Sequence, residues 1–497
     1  MTQGRIRISA NSIHGATAWV IPILLGFVVT PLLVASLGVK GYGIYSLVVG
    51  LIQYSFNLQF GRAMTNYVAK VRAGNDAFRK FCTSTLVLAI LVAFVGSLTI
   101  ALSADVLVSE YFRISPELQS ETTEVVRIAA VVLMSMAVLY LSWSVLHGME
   151  FFSTFSKLSG GYSVSVALGS VSVALAGGGL RSILALQLFI TLGFLISTLV
   201  LLSKSGARRF FDTKPDLDSL KSVFRSAMPI IGYQVVGNAV VLIERGLVSA
   251  RLGEAALSYY VVAMNLAINL NGLAASLSLA ILPVASQKES DWEGFRATYE
   301  KATTYIIALM TGIMTTVVIF GEQFLQVWLG REFAESAILV LIPGVLAFGL
   351  HSFSVIVFQV ADGTGRSRLN LITTFLAGVV FVIVAFATID GFGIESPAFA
   401  RLASAMIWLM YMFVVDRIIR GSWGIGFFSR VFATLIPAIA MSSVVGIFVQ
   451  QLWSGQWTSV IVGSAVTSFV FLFFAILFGV IRFQEIRELL KQFKGSR

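Results

Sequence analysis

Apolar residues run along this chain in about fourteen long blocks separated by short polar connections. The blocks fall at 13–36, 43–67, 81–103, 125–147, 154–177, 181–203, 226–250, 256–285, 302–321, 336–361, 369–389, 397–419, 429–450 and 457–481. Each approaches or exceeds the roughly 20 residues that a helix needs to cross about 30 Å of hydrocarbon. A β reading fails, because the blocks are too long and no ten-residue alternation recurs. The pattern predicts an all-α polytopic membrane protein with about 14 transmembrane helices. The connection at 204–225 carries six basic residues and ends in an amphipathic stretch (Leu217, Leu220, Val223, Phe224) suited to the membrane surface. The connection at 104–124 is acidic.

The blocks also repeat at a lag of about 215 residues. SLGVKGYGIYSL at 36–47 aligns with RLGEAALSYYVV at 251–262, pairing Leu37 with Leu252, Gly38 with Gly253 and Tyr45 with Tyr260. The same lag pairs Asp76 with Asp291 and Gly148 with Gly363. Both copies hold six spans, so they keep one orientation. The expected organisation is an N-lobe at 1–203, a cytoplasmic linker at 204–225, a C-lobe at 226–419, and two added spans with a basic tail at 420–497. Two pseudo-symmetric six-helix lobes invite a substrate pathway between them and a rocking form of alternating access.

Charge assigns the sides. Of 35 Lys and Arg residues, 26 fall on the side that holds both termini and six on the other. Arg62, Arg245 and Arg401 lie inside apolar blocks. Basic loops stay cytoplasmic, so both termini are expected in the cytoplasm. Apolar residues make up 57% of the chain and charged residues 12%, about half the charge of a soluble domain. The net charge of +10 is then a cytoplasmic excess facing anionic headgroups, and no nucleic acid is expected. Cys82 is the single cysteine, so no disulfide can form within the chain. No cleavable signal sequence precedes the first span.

Little here suits catalysis. Three histidines and one cysteine form no metal motif, and no P-loop is present, so neither a metal nor a nucleotide cofactor is expected. His14, His147 and His351 fall near span ends, where capping is the default. The polar residues inside spans say more. Gln234, Asn238 and Arg245 share one face of the seventh span. Gln53 and Asn57 stand four apart in the second, and Asn265 and Asn269 four apart in the eighth. Amides in lipid must be paired or face water. Bonds between helices would satisfy them; so would a hydrated cavity that binds the hydroxyls of a sugar. Tyr54, Phe56, Tyr233, Tyr259 and Tyr260 lie nearby and would stack on sugar faces. Arg245 costs about 2.5–3.5 kcal/mol near mid-membrane by insertion scales. It is a structural ion-pair member or an anion ligand. Arg62 and Arg401 are weaker candidates for the same anion. Glu244 is the acid assigned to a span interior, and so the candidate for ion coupling. The last span, rich in Phe, is a lipid-facing surface or a groove for a long hydrocarbon chain.

LGVKGYGIYSL at 37–47 and LQFGRAMTNYVAKVRAG at 58–74 resemble the Wzx-type polysaccharide transporters of the MOP superfamily, which flip lipid-linked oligosaccharides. The resemblance implies export of undecaprenyl-diphosphate-linked repeat units across the bacterial inner membrane, for O-antigen, capsule or exopolysaccharide. It implies membrane lipids, a polysaccharide polymerase and chain-length proteins as partners. Gly61, Arg62, Ala69 and Lys70 resemble the family's second-helix segment, and Arg62 is the residue the resemblance adds to the anion site. A MATE-like exporter of cations would want acids in the first lobe's spans, which are absent. A membrane polymerase or ligase should need a larger external loop than about 20 residues.

Overall fold

A computed structural model describes residues 2–55, 76–149, 151–204, 213–278, 292–421, 423–452 and 457–480. No strand occurs among them. The main helices are α1 (Thr2–Tyr54), α2 (Asp76–Leu102), α3 (Pro116–Gly148), α4 (Phe152–Leu175), α5 (Leu180–Lys204), α6 (Leu217–Ser278), α7 (Trp292–Leu329), α8 (Arg331–Ser352), α9 (Val355–Gly363), α10 (Ser367–Phe392), α11 (Ser396–Arg420), α12 (Ile425–Leu452) and α13 (Trp457–Leu477). Eleven described stretches are long and apolar enough to cross a membrane. Three of these, Leu24–Tyr54, Met228–Ser278 and Ser367–Arg420, run through two predicted spans each. The eleven stretches thus accommodate the fourteen blocks, and the protein is a multi-pass membrane protein. The predicted surface segment after 216 is helical and continuous with the seventh span.

Two of the breaks sit at glycines that the repeat pairs. Gly38 interrupts α1 with φ 70° and ψ 167°. Gly253 interrupts α6 with φ 86° and ψ 176°. This corner of backbone space is open essentially to glycine alone. Matching strain at matching positions is what a duplicated helix–corner–helix unit should leave.

The chain divides into two compact units, Met1–Ser258 and Tyr259–Arg497. In the first, α3 packs on α1, α2 and α5, and α4 packs on α1 and α5. Its interior is aromatic and hydroxylated. The Trp143 indole N–H donates to Thr198 (3.2 Å), and the Tyr162 hydroxyl pairs with Thr191 (3.1 Å). Both threonines also donate to the carbonyl one turn back, so these buried polar atoms are satisfied without water.

In the second unit, α8 packs on α7 and α11, α10 on α11, and the α12–α13 hairpin on α7. The hairpin is seated by reciprocal notches. A methyl group added at Gly312 of α7 would lie 2.8 Å from the Phe471 ring of α13; one added at Gly463 of α13 would lie 2.4 Å from the Phe320 ring of α7. Each ring fills the place where the facing helix lacks a side chain.

The end of α11 holds a buried charge network. Arg420 donates to Asp416 (2.7 Å) and to Glu300 of α7 (2.6 Å), while the Tyr299 hydroxyl donates to Asp416 (3.0 Å). Asp416 is fully buried. Asp416 falls within the predicted span at 397–419, and the structure buries it in its helix, as it buries Glu244 and Glu254 in theirs. Removing one member of such a network strands the others. Arg420→Ala should lower stability by about 3–5 kcal/mol, read as an earlier thermal transition of the detergent-solubilised protein. Arg420→Lys should fall between, because a point donor cannot span both carboxylates.

Candidate functional site

The polar face of the seventh span forms, though its members do not all remain free. The amide of Gln234 donates to Asn238 Oδ1 at 3.0 Å, so the two satisfy each other in part. Two helical turns further on, Arg245 is 8% exposed. Its Nη1 donates to the Ser46 carbonyl on α1 at 2.5 Å, and its guanidinium lies 5.4 Å from the Tyr54 ring centroid. Gly50 makes room for it: an added methyl would stand 2.5 Å from Nη1. The guanidinium therefore rests on a backbone carbonyl and an aromatic face. Its sequence neighbour Glu244 is also buried. Adjacent residues on a helix do not face each other.

Toward the Gly253 corner, α6 is fastened further. The Ser249 hydroxyl donates to the Phe112 carbonyl (2.9 Å). Gly246 lies under the Tyr111 ring, where an added methyl would stand 2.7 Å away. Partial burial of that ring pushes the Tyr111 phenol pKa up. Glu254 Oε1 accepts from the Ser115 backbone N–H (2.6 Å) and the Ser115 hydroxyl (2.9 Å). Ser115 is the N-cap of α3, so a carboxylate sits at the positive end of a long helix. Gly43 of α1 approaches so closely that an added methyl would fall 2.0 Å from the Glu254 carbonyl oxygen. Sequence reasoning passes over Glu254 and Ser115, since an acid in a polar connection is ordinary. The available signal is position: Glu254 follows the repeated glycine directly.

The other predicted residues are dispersed. Gln53 is exposed on α1; Asn265 is exposed and Asn269 half-buried on α6. Asn57 and Arg62 lie outside the described residues. Arg401, near the start of α11, is held against two rings, 4.7 Å from Phe381 and 5.8 Å from Phe348. His351 stacks on Trp408 at 4.3 Å. Among the described residues, no group of three or more His, Cys, Asp or Glu side chains could hold a metal ion.

The helical membrane fold has counterparts among solved structures. The fold is similar to an inward closed conformation of the lipid II flippase MurJ (TM-score 0.73, 14% identity, 94% of this chain and 98% of that one). It is also similar to an inward-facing multidrug resistance MATE family transporter of the MOP superfamily (TM-score 0.60, 14% identity, 84% and 98%). A MOP superfamily transporter from Pyrococcus furiosus matches as well (TM-score 0.58, 14% identity, 84% and 94%). At these identities the likeness shows the fold. No curated protein matches the chain. Residues 8–289, more than half of the chain, match the family model described as polysaccharide biosynthesis protein, and the chain belongs to that family.

Proposed function

We propose that the protein flips an undecaprenyl-diphosphate-linked oligosaccharide across the bacterial inner membrane, supplying surface polysaccharide assembly. The observation that carries this reading is Arg245: a buried cation within the family-matched region, on the same helix face as the amide pair Gln234 and Asn238. A diphosphate needs a planar, permanently charged donor, and guanidinium supplies a bidentate one. Amides both donate and accept, as sugar hydroxyls require. Arg62 and Arg401 are assigned as auxiliary cations, and Gln53, Asn57, Asn265 and Asn269 as further sugar contacts. The lobes at 1–203 and 226–419 are taken as the moving bodies, and polymerase and chain-length proteins as partners.

Arg245→Ala should abolish glycan export at unchanged protein level, and Arg245→Lys should keep part of it because the charge survives without the fork. Export by the Ala variant at the parent rate would remove Arg245 from the site.

Both termini are placed in the cytoplasm, which gathers 26 of 35 basic residues there. Terminal reporter fusions should be active only in cytoplasmic form; periplasmic activity would reverse the orientation.

Glu244 is proposed as the coupling acid. Substrate diphosphate on Arg245 would change the charge balance around the neighbouring carboxylate. Glu244→Gln mimics the protonated form and should flatten the dependence of transport on pH or sodium; an unchanged dependence would release Glu244 from this role.

A further inference from the structure

The fastening of α6 to α1 and to the 107–115 segment has an unusual makeup. Near the Gly253 corner it relies on polar bonds from a few side chains to helix ends and backbone: Glu254 to Ser115, Ser249 to the Phe112 carbonyl, Arg245 to the Ser46 carbonyl. Gly43 brings backbone against backbone at Glu254, and Gly246 takes the ring of the partly exposed Tyr111. Glycine contacts part without unthreading, and hydrogen bonds can be exchanged for water, whereas meshed apolar side chains resist sliding. The strongest bond is the Glu254 carboxylate on the N-cap of α3, with two donors and a helix dipole behind them.

We propose that Glu254 is a releasable latch: it holds the Gly253 corner of α6 against α1 and the N-terminus of α3, and transport requires it to let go. The inference rests on the transporter reading. A substrate that reaches Arg245 can leave past the Gly253 corner only if the contacts beyond Arg245 separate. Glu254 stands outermost along α6 in that series, nine residues past Arg245. Its release would be followed by that of Ser249, and only then would Arg245 exchange the Ser46 carbonyl for solvent.

Ser258 supplies the reporter. It is completely buried, its hydroxyl has no hydrogen-bond partner, and its backbone nitrogen lies against Gly43. Cysteine at this position therefore removes no bond. With Cys82→Ala and Ser258→Cys as the parent, a membrane-impermeant maleimide applied from the face opposite the termini should label slowly. Adding Glu254→Ala should speed labelling about tenfold, the loss expected for a hydrogen bond to a charged group. Glu254→Gln keeps a carbonyl acceptor and should give a smaller increase. Labelling at the parent rate in both variants would overturn the latch.

A second arm locks the contact. Ser115→Cys and Glu254→Cys, in the Cys82→Ala background, are bridged by a short reducible bis-methanethiosulfonate. Flipping of an undecaprenyl-diphosphate-linked trisaccharide in proteoliposomes should stop on bridging and return on reduction. Bridged protein that flips at the unbridged rate would overturn the proposal. Accelerated labelling in a protein that never flips this lipid would uphold the latch while removing the proposed substrate.

Discussion

Inside a bilayer, every peptide N–H and C=O must find its partner within the chain, because lipid offers none. Everything else in this protein follows from that constraint. It makes the described membrane segments helical, and it confines departures from the helix to places where few peptide groups are freed. Gly38 and Gly253 are such places: each turns the chain within one residue. Long connections are then unnecessary, and the polar chemistry near the corners must come from side chains and helix ends. That is where Ser115, Glu254 and Ser46 are found.

The same constraint decides how a buried cation is kept. Arg245 cannot stay bare at 8% exposure, and it lies against a carbonyl and a ring. A carbonyl accepts the hydrogen bond without neutralising the charge. Arg420 shows the opposite solution. It is shared by Asp416 and Glu300, its charge is matched, and its part is to bind α7 to the end of α11.

How far the sequence could be read follows from the same physics. Block length follows from the thickness of the bilayer, so the helices stand out from the pattern alone. The glycine pair at 38 and 253 was legible through the repeat. Arg245 stood out because a cation in an apolar block must have a partner or a role, and the sequence alone could not say which. The partners were not legible: Ser46 contributes a backbone carbonyl, which every residue carries, and Glu254 is an acid in a short polar connection, where an acid is ordinary. Asp416 lies near the end of a predicted block, and only packing reveals its burial. Spacing places Gln234 and Asn238 together but cannot say that they bond to each other.

The notches between α7 and the terminal hairpin bear on how this protein can change over time. Gly312 faces Phe471 and Gly463 faces Phe320, and within each helix the glycine and the ring are eight residues apart, about 12 Å along the axis. The two contacts thus act as teeth at one fixed spacing. A shift of one turn would drive both rings into backbone-lined walls at once, so the hairpin has a single seat. Relatives should therefore exchange ring and glycine across the interface only in matched pairs, and a hairpin grafted from another member of the family should fit only if its teeth come with the same pitch.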